Sequence, residues 1–204
     1  MDEKHKYFFD KVFELYNKFG IKSVTMDDVS RELGISKKTL YECVADKSEL
    51  VKYVMQMVFR FHGEKLAEIS NSGYNAIEEL LKVNEYMTHM VKELNQTLLY
   101  DLRKYYPELF NEMMEIQHRK MHEAIRLNLL KGQKEGLYRK EMNLEIISRL
   151  HMSRLEYRFA HDSSILDDFD STVVMQEILT YHLHGIASEK GIRVYNDLIK
   201  QKSI

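Results

Sequence analysis

TMDDVSRELGISKKTLYECV, residues 25–44, is the stretch of this sequence that determines how the chain begins to fold. Thr25 can cap a short helix, Gly34 can end it, and Ser36 can cap a second short helix. Apolar side chains are spaced to fill the angle between these two helices: Val29, Leu33, Ile35 and Leu40. The pattern predicts a helix-turn-helix. Such a pair also occurs as ordinary packing, so it does not establish a function by itself.

The second of these helices carries small or cationic side chains on its outer face, and groups of this kind can enter the major groove of DNA. We expect Lys37, Lys38 and Thr39 to read bases. Hydroxyls and lysines also hold phosphate oxygens, which is the role expected for Thr25, Tyr41 and Lys47. The candidate DNA-binding residues are therefore Thr25, Ser36, Lys37, Lys38, Thr39, Tyr41 and Lys47.

Composition limits the class of protein. The chain has 204 residues, of which 44% are hydrophobic and 30% charged, with a net charge of −2. This balance is typical of a globular protein and argues against wholesale disorder or a membrane protein. Cys43 is the only cysteine and no signal-peptide pattern opens the sequence, so we expect a cytoplasmic protein.

The sequence has a single proline and eight glycines, so it contains few residues that break helices, which favours an all-α fold. Apolar spacing predicts a first helix that ends at Gly20 and longer helices beyond residue 49. Among the later helices we expect one over residues 107–134, one from 143 to about 160 and one over 171–188. We predict an N-terminal three-helix domain over residues 1–48 and a larger helical domain over residues 49–204.

The N-terminal segment resembles the TetR family of transcriptional regulators. The family pattern is matched by Gly20, Thr25, Gly34-Ile35-Ser36, Thr39-Leu40-Tyr41 and Lys47-Ser48-Glu49-Leu50. The match covers about the first fifty residues densely, and Gly132–Asn143 more weakly. Lys38 stands where the family often has a small residue, so a base preference cannot be transferred from relatives.

The resemblance implies a function for each part of the chain. It implies a homodimeric, ligand-responsive repressor that leaves a palindromic operator when a small molecule binds. The larger domain would hold the ligand, and the last two long helices would form the dimer. The dimer candidates are Leu155, Phe159, Ile178, Leu179, His182, Gly185 and Ile186. The alternative is that these residues only close the core of one protomer.

Candidate pocket residues are polar side chains that interrupt apolar helix faces, because a buried polar group needs a partner that a ligand can supply. With adjacent methionines they are Asn84, Met87, Met113, Gln117, Met121, His151 and Arg154. Arg154 would favour an acidic ligand. Each of them can instead be a core or interface residue whose polar atoms are already satisfied.

Other classes of function find less support. The sequence lacks the G-x-S-x-G, G-x-x-x-x-G-K and H-E-x-x-H motifs, so we expect neither an enzyme nor a cofactor. His118 and His122 have metal-ligand spacing but no further ligands, and we predict no metal there. The first sixty residues carry eleven basic and ten acidic side chains. That balance leaves open a helical protein-interaction module whose helix-turn-helix no longer binds DNA.

Overall fold

The computed structural model describes residues 3–156 and 168–202 and is all-helical there, as predicted. The ten helices in these residues are α1 (Glu3–Phe19), α2 (Met26–Glu32), α3 (Lys37–Cys43), α4 (Lys47–Ser70), α5 (Ala76–Glu93), α6 (Gln96–Tyr105), α7 (Pro107–Lys134), α8 (Leu144–Glu156), α9 (Ser171–Ile186) and α10 (Glu189–Lys202). No described helix combines the length and apolar character needed to cross a membrane.

The chain forms two compact units. The first contains Met1–Leu66 and Met90–Ile116, and the second contains Ala67–His89 and Gln117–Ile204. The first unit therefore extends beyond the helix-turn-helix segment, because α6 packs against α1. The domain division at residue 48 stays a prediction and does not coincide with these units.

The core of the first unit is assembled from apolar faces that the sequence pattern identifies. Val12 and Tyr16 of α1, Val29 of α2 and Leu40 of α3 are fully buried in one cluster. Leu33 and Ile35 pack against this cluster from the turn between α2 and α3, as expected. Further buried members come from α4, α6 and α7: Leu50, Val51, Val54, Met55, Leu98, Leu102 and Met113.

The turn between α1 and α2 is fixed by a carboxylate from α6. The Lys22 backbone N–H donates to Oδ2 of the buried Asp101 over 2.7 Å. Gly20 begins this turn at φ +80°, the left-handed region that favours glycine. A Cβ at Gly20 would lie 2.8 Å from Asp101 Oδ2 and 2.9 Å from Thr97 Cγ2. The turn and α6 are therefore held together by both a hydrogen bond and close packing.

Replacing Gly20 with alanine should lower the free energy of unfolding by about 1–3 kcal/mol, because it combines backbone strain with displacement of Asp101. Gly34→Ala is the matched control: Gly34 has φ +65° but open space at its Cβ position. Urea unfolding followed by circular dichroism measures both. Equal losses for the two variants would show that the contact with Asp101 contributes nothing.

The second unit has its own core around α5, α7 and α9. Ala76, Ile77, Leu129, Leu183 and Ile186 are buried there. The Tyr138 hydroxyl, also buried, lies 3.0 Å from Asn128 Oδ1 and 3.1 Å from the Ala76 carbonyl oxygen, which are two acceptors for its single O–H proton. The segment after α7 is thereby fastened to the start of α5.

Predicted helix ends agree with the structure except where a tertiary contact intervenes. The helix expected over 171–188 ends at Ile186, because Ala187 leaves it to form an antiparallel bridge with Tyr138. The Ser188 N–H donates to the Leu137 carbonyl oxygen over 2.9 Å beside this bridge. The helix expected to reach residue 160 is present as α8 to Glu156, and its predicted end lies outside the described residues.

Candidate functional site

The helix-turn-helix is set by two N-caps and a glycine turn. The Asp28 N–H donates to Thr25 Oγ1 over 3.2 Å and the Thr25 N–H donates to Asp28 Oδ2 over 2.9 Å, which makes a reciprocal capping box. The Thr39 N–H donates to Ser36 Oγ over 3.0 Å at the start of α3. With Gly34 in the left-handed region between them, α2 and α3 begin and end as the sequence predicts.

The outer face of α3 carries the candidate side chains. Leu40 and Val44 are buried and anchor the helix from behind. The structure brings the candidates of this helix together at the surface, where they are exposed: Ser36, Lys37, Lys38, Thr39 and Tyr41. This geometry presents cations and hydroxyls on one short helix, as entry into a DNA groove requires.

The lysines of the site differ in their surroundings. Lys37 Nζ lies 2.6 Å from Asp27 Oδ1, which links α3 to α2. Lys38 is exposed and forms no ion pair in the part of the chain that the structure describes. Lys47, at the start of α4, is half-buried with its Nζ 3.4 Å from the Lys22 carbonyl oxygen. Burial lowers the pKa of Lys47, and the nearby carboxylates of Asp101 and Asp28 oppose this.

Thr25 is exposed, but its hydroxyl has a partner. Its Oγ1 donates to Asp28 Oδ2 over 2.6 Å, and hydrogen bonds from Thr25 lower the pKa of the Asp28 carboxyl. The Ser36 and Thr39 hydroxyl oxygens likewise lie 2.9 Å apart. These hydroxyls therefore stabilise the helix starts in the free protein, and a phosphate would have to share or replace these contacts.

The residues predicted for the dimer interface differ in how far they are buried within one protomer. His182 and Ile186 are buried in the second unit, while Ile178 and Leu179 are half-buried and Gly185 is exposed. The Leu155 side chain and Phe159 lie outside the described residues. The apolar side chains that are most exposed on the described parts of α8 and α9 do not belong to this set of seven. They are Ile146, Leu150, Val173 and Tyr181, which we name the α8–α9 surface.

A cavity of about 260 Å³ opens beside this surface. It is lined by Ile147, Leu150, Tyr181, His182, His184, Gly185 and Ile186. Tyr181 is 73% exposed and Leu150 48% exposed. The cavity therefore brings exposed apolar side chains of α8 and α9 together around a shallow recess.

The pocket candidates are divided between the two units. Met113 is buried in the core of the first unit. In the second unit Met87 is buried, and Asn84, Gln117, Met121 and His151 are half-buried. His151 Nδ1 lies 2.7 Å from His182 Nε2, so at least one of these rings is neutral. The side chain of Arg154 lies outside the described residues.

One polar group that sequence reasoning missed lies on α5. Thr88 Oγ1 is buried and has no hydrogen-bond partner among the described residues. Thr88 follows Asn84 by four positions, so both lie on one face of the helix. Asn84 could be recognised as a candidate from the sequence because it interrupts an apolar helix face. A threonine at this spacing has the pattern of an ordinary helix residue and gives no such indication.

The two histidines with metal-ligand spacing, His118 and His122, have different surroundings in the structure. His122 Nε2 lies 3.1 Å from Oγ of the buried Ser148, and His118 is exposed. Among the described residues, no group of three or more histidine, cysteine or acidic side chains is placed to hold a metal ion. His122 is thus engaged with α8 in the structure.

Comparison with known proteins identifies transcriptional regulators. No protein-family model matches the chain. An HTH-type transcriptional regulator of Staphylococcus aureus strain USA300 is 27% identical over 108 residues, which cover 48% of this chain and 58% of the relative. The matched part thus spans little more than half the length of that relative. The relatives found are regulators rather than enzymes, in agreement with the prediction.

Solved structures share the fold over almost the whole chain. A transcriptional regulator from Cytophaga hutchinsonii has a TM-score of 0.76 and 20% identity, and the match covers 92% of this chain and 100% of that one. A regulator of the TetR/AcrR family from Thermobifida fusca has a TM-score of 0.62 and 16% identity, covering 90% of this chain and 98% of that one.

Proposed function

We propose that this chain, which has the fold of the TetR family of transcriptional regulators, represses transcription by binding a palindromic operator as a homodimer. The observation that carries the proposal is the outer face of α3, where Lys37, Lys38 and Thr39 are exposed while Leu40 anchors the helix from behind. Since operator DNA is the target, the proposal implies action in the cytoplasm.

In the proposed complex, residues divide into base-reading and phosphate-holding groups. Lys37, Lys38 and Thr39 read base edges in the major groove, because lysine and hydroxyl groups match acceptors on guanine and other bases. Tyr41 and Lys47 hold backbone phosphates beside α3, and Thr25 and Ser36 contribute at the helix starts. Residues 1–48 supply these contacts, and residues 49–204 supply regulation and assembly.

The α8–α9 surface supports dimerisation. Exposed apolar surfaces are the kind that protein interfaces bury, and an interface across a two-fold axis uses the same surface on both protomers. Tyr181 and Leu150 are suited to its centre, because aromatic and large apolar groups gain most from desolvation. Of the residues first predicted for the dimer, Gly185 is the one that lines the same recess and is exposed.

A small molecule in the second unit would regulate binding to DNA. Thr88 Oγ1 and the neighbouring Asn84 offer polar atoms on one face of α5, and Gln117, Met121 and His151 are half-buried in the same unit. A ligand that binds better to the conformation that does not fit the operator lowers operator affinity. By linkage, operator DNA lowers ligand affinity by the same factor.

Selection from random duplex DNA, with the mass of the protein measured in solution, tests the proposed function. We expect a palindromic site and a dimer. Binding that depends on salt but shows no sequence preference, or no binding at all, would contradict the proposal and favour a module that binds a protein partner.

A further inference from the structure

A second group of cations lies in the first unit, outside the helix-turn-helix. Lys104 and Tyr105 at the end of α6, with Tyr100 one turn earlier, meet Lys22 of the turn between α1 and α2. Lys104 Nζ donates to the Tyr100 hydroxyl over 2.7 Å and lies 5.5 Å from the centre of the Tyr105 ring. Lys22 Nζ lies 5.2 Å from the same ring centre. We name these four residues the α6 cationic cluster.

The cluster adjoins the phosphate-holding end of the candidate interface. Lys47 Nζ is 3.4 Å from the carbonyl oxygen of Lys22. The Lys22 N–H is in turn held by the buried carboxylate of Asp101 on α6. Backbone and side chain of Lys22 thus connect Lys47 to the cluster through short contacts. Lys47 of α4, Lys22 and Lys104 of α6 are therefore neighbours within the first unit.

One carboxylate, that of the buried Asp101, lies beside the cluster, and it accepts a hydrogen bond from the backbone N–H of Lys22. Lys22 and Lys104 form no ion pair within the described residues, in contrast to Lys37, which is paired with Asp27. Their partners are the exposed aromatic side chains of Tyr100 and Tyr105. A hydrogen bond to Tyr105 raises the pKa of Lys22, and the same bond lowers the pKa of Tyr105. Both lysines therefore remain charged and are held in place by rings.

We propose that the α6 cationic cluster binds backbone phosphates of the DNA that flanks the half-site read by α3. This inference rests on the proposed DNA-binding function. Lysine and tyrosine donors that face phosphates position a protein on DNA without reading its sequence. Aromatic rings beside the lysines restrict their conformations, so less side-chain entropy is lost when a phosphate is bound. The cluster extends the contact beyond the palindrome itself.

The test compares two duplexes with the full-length protein. One contains only the selected palindrome, and the other extends it by about ten base pairs on each side, roughly one helical turn. Binding of the wild type and of Lys104→Gln is measured over a range of salt concentrations. Lys140→Gln, at an exposed lysine of the second unit, is the control with the same change in charge.

On the extended duplex, Lys104→Gln should reduce the slope of log K against log salt by about 2. This is the loss of one phosphate contact from each protomer of a dimer, at about 0.9 per contact. On the short duplex its slope should equal that of the wild type, and the preferred sequence should not change. Lys140→Gln should behave as the wild type on both duplexes.

Three outcomes would overturn the inference. Identical slopes for wild type and Lys104→Gln on the extended duplex would show that α6 does not contact DNA. Equal reductions on both duplexes would place the contact within the palindrome rather than in the flank. Failure of the wild type to select any palindrome would overturn the proposed function and the inference together, whereas the first two results leave the proposed function intact.

Discussion

Replacing both Lys37 and Lys38 with alanine should weaken binding to the selected operator at least about a hundredfold. Each good lysine contact with a base is worth about 1–3 kcal/mol, and 1.4 kcal/mol corresponds to a factor of ten in affinity. Both side chains are exposed on α3, so their removal leaves no cavity in the core. Fluorescence anisotropy with the selected duplex measures the loss.

The control for this double variant removes the same number of positive charges from another part of the chain. Lys134 and Lys140 are exposed in the second unit, and replacing both with alanine also removes two positive charges per protomer. We expect the control to keep affinity within about threefold of wild type at physiological salt, because charges beyond a Debye length of about 8 Å are largely screened. Unchanged affinity in the Lys37 and Lys38 variant would contradict the role assigned to α3.

Glutamate at both Leu150 and Tyr181 should convert the dimer to monomer and lower operator affinity about a thousandfold. A carboxylate at an apolar interface loses its hydration without gaining a partner, which opposes association. A monomer reaches one half-site only, and its binding approaches the weaker, non-specific level. Sedimentation or light scattering measures the assembly, and anisotropy measures the affinity.

A matched control separates this effect from a general loss of solubility or folding. Leu127 on α7 is about as exposed as Leu150 and belongs to the same unit, but it is not part of the α8–α9 surface. Leu127→Glu should remain dimeric and bind the operator as the wild type does. A Leu150 and Tyr181 variant that remains a dimer with unchanged helical circular dichroism would rule out this surface as the interface.

The helix-turn-helix could be predicted in detail because its determinants are local. Thr25, Gly34 and Ser36 each act within four residues of their own position, through capping or through a left-handed turn. Val29 and Leu40 are buried as their spacing indicates. A pattern of this kind is readable without knowledge of the rest of the chain.

The contacts that escaped prediction are long-range. The hydrogen bond between Lys22 and Asp101 joins residues 79 positions apart, and no periodic pattern in the sequence indicates it. On α9, apolar spacing marks both Ile186 and Tyr181 but does not say which of them faces the protomer's own core. The structure buries Ile186 and exposes Tyr181, since only Ile186 lies against Leu183 and the rest of the core cluster of the second unit. The dimer and pocket residues therefore remain predictions.

The ion pair between Lys37 and Asp27 bears on how such a protein would search along DNA. A lysine that neutralises a phosphate releases a cation condensed on the DNA, and that release rewards any DNA sequence alike. Lys37 begins in an ion pair with Asp27 of α2, so its transfer to DNA also exchanges that partner for a new one. The exchange is favourable only where the new partner is well placed. At an unrelated site Lys37 can keep its partner on α2, so in the proposed function this lysine adds less to non-specific binding than an unpaired lysine would.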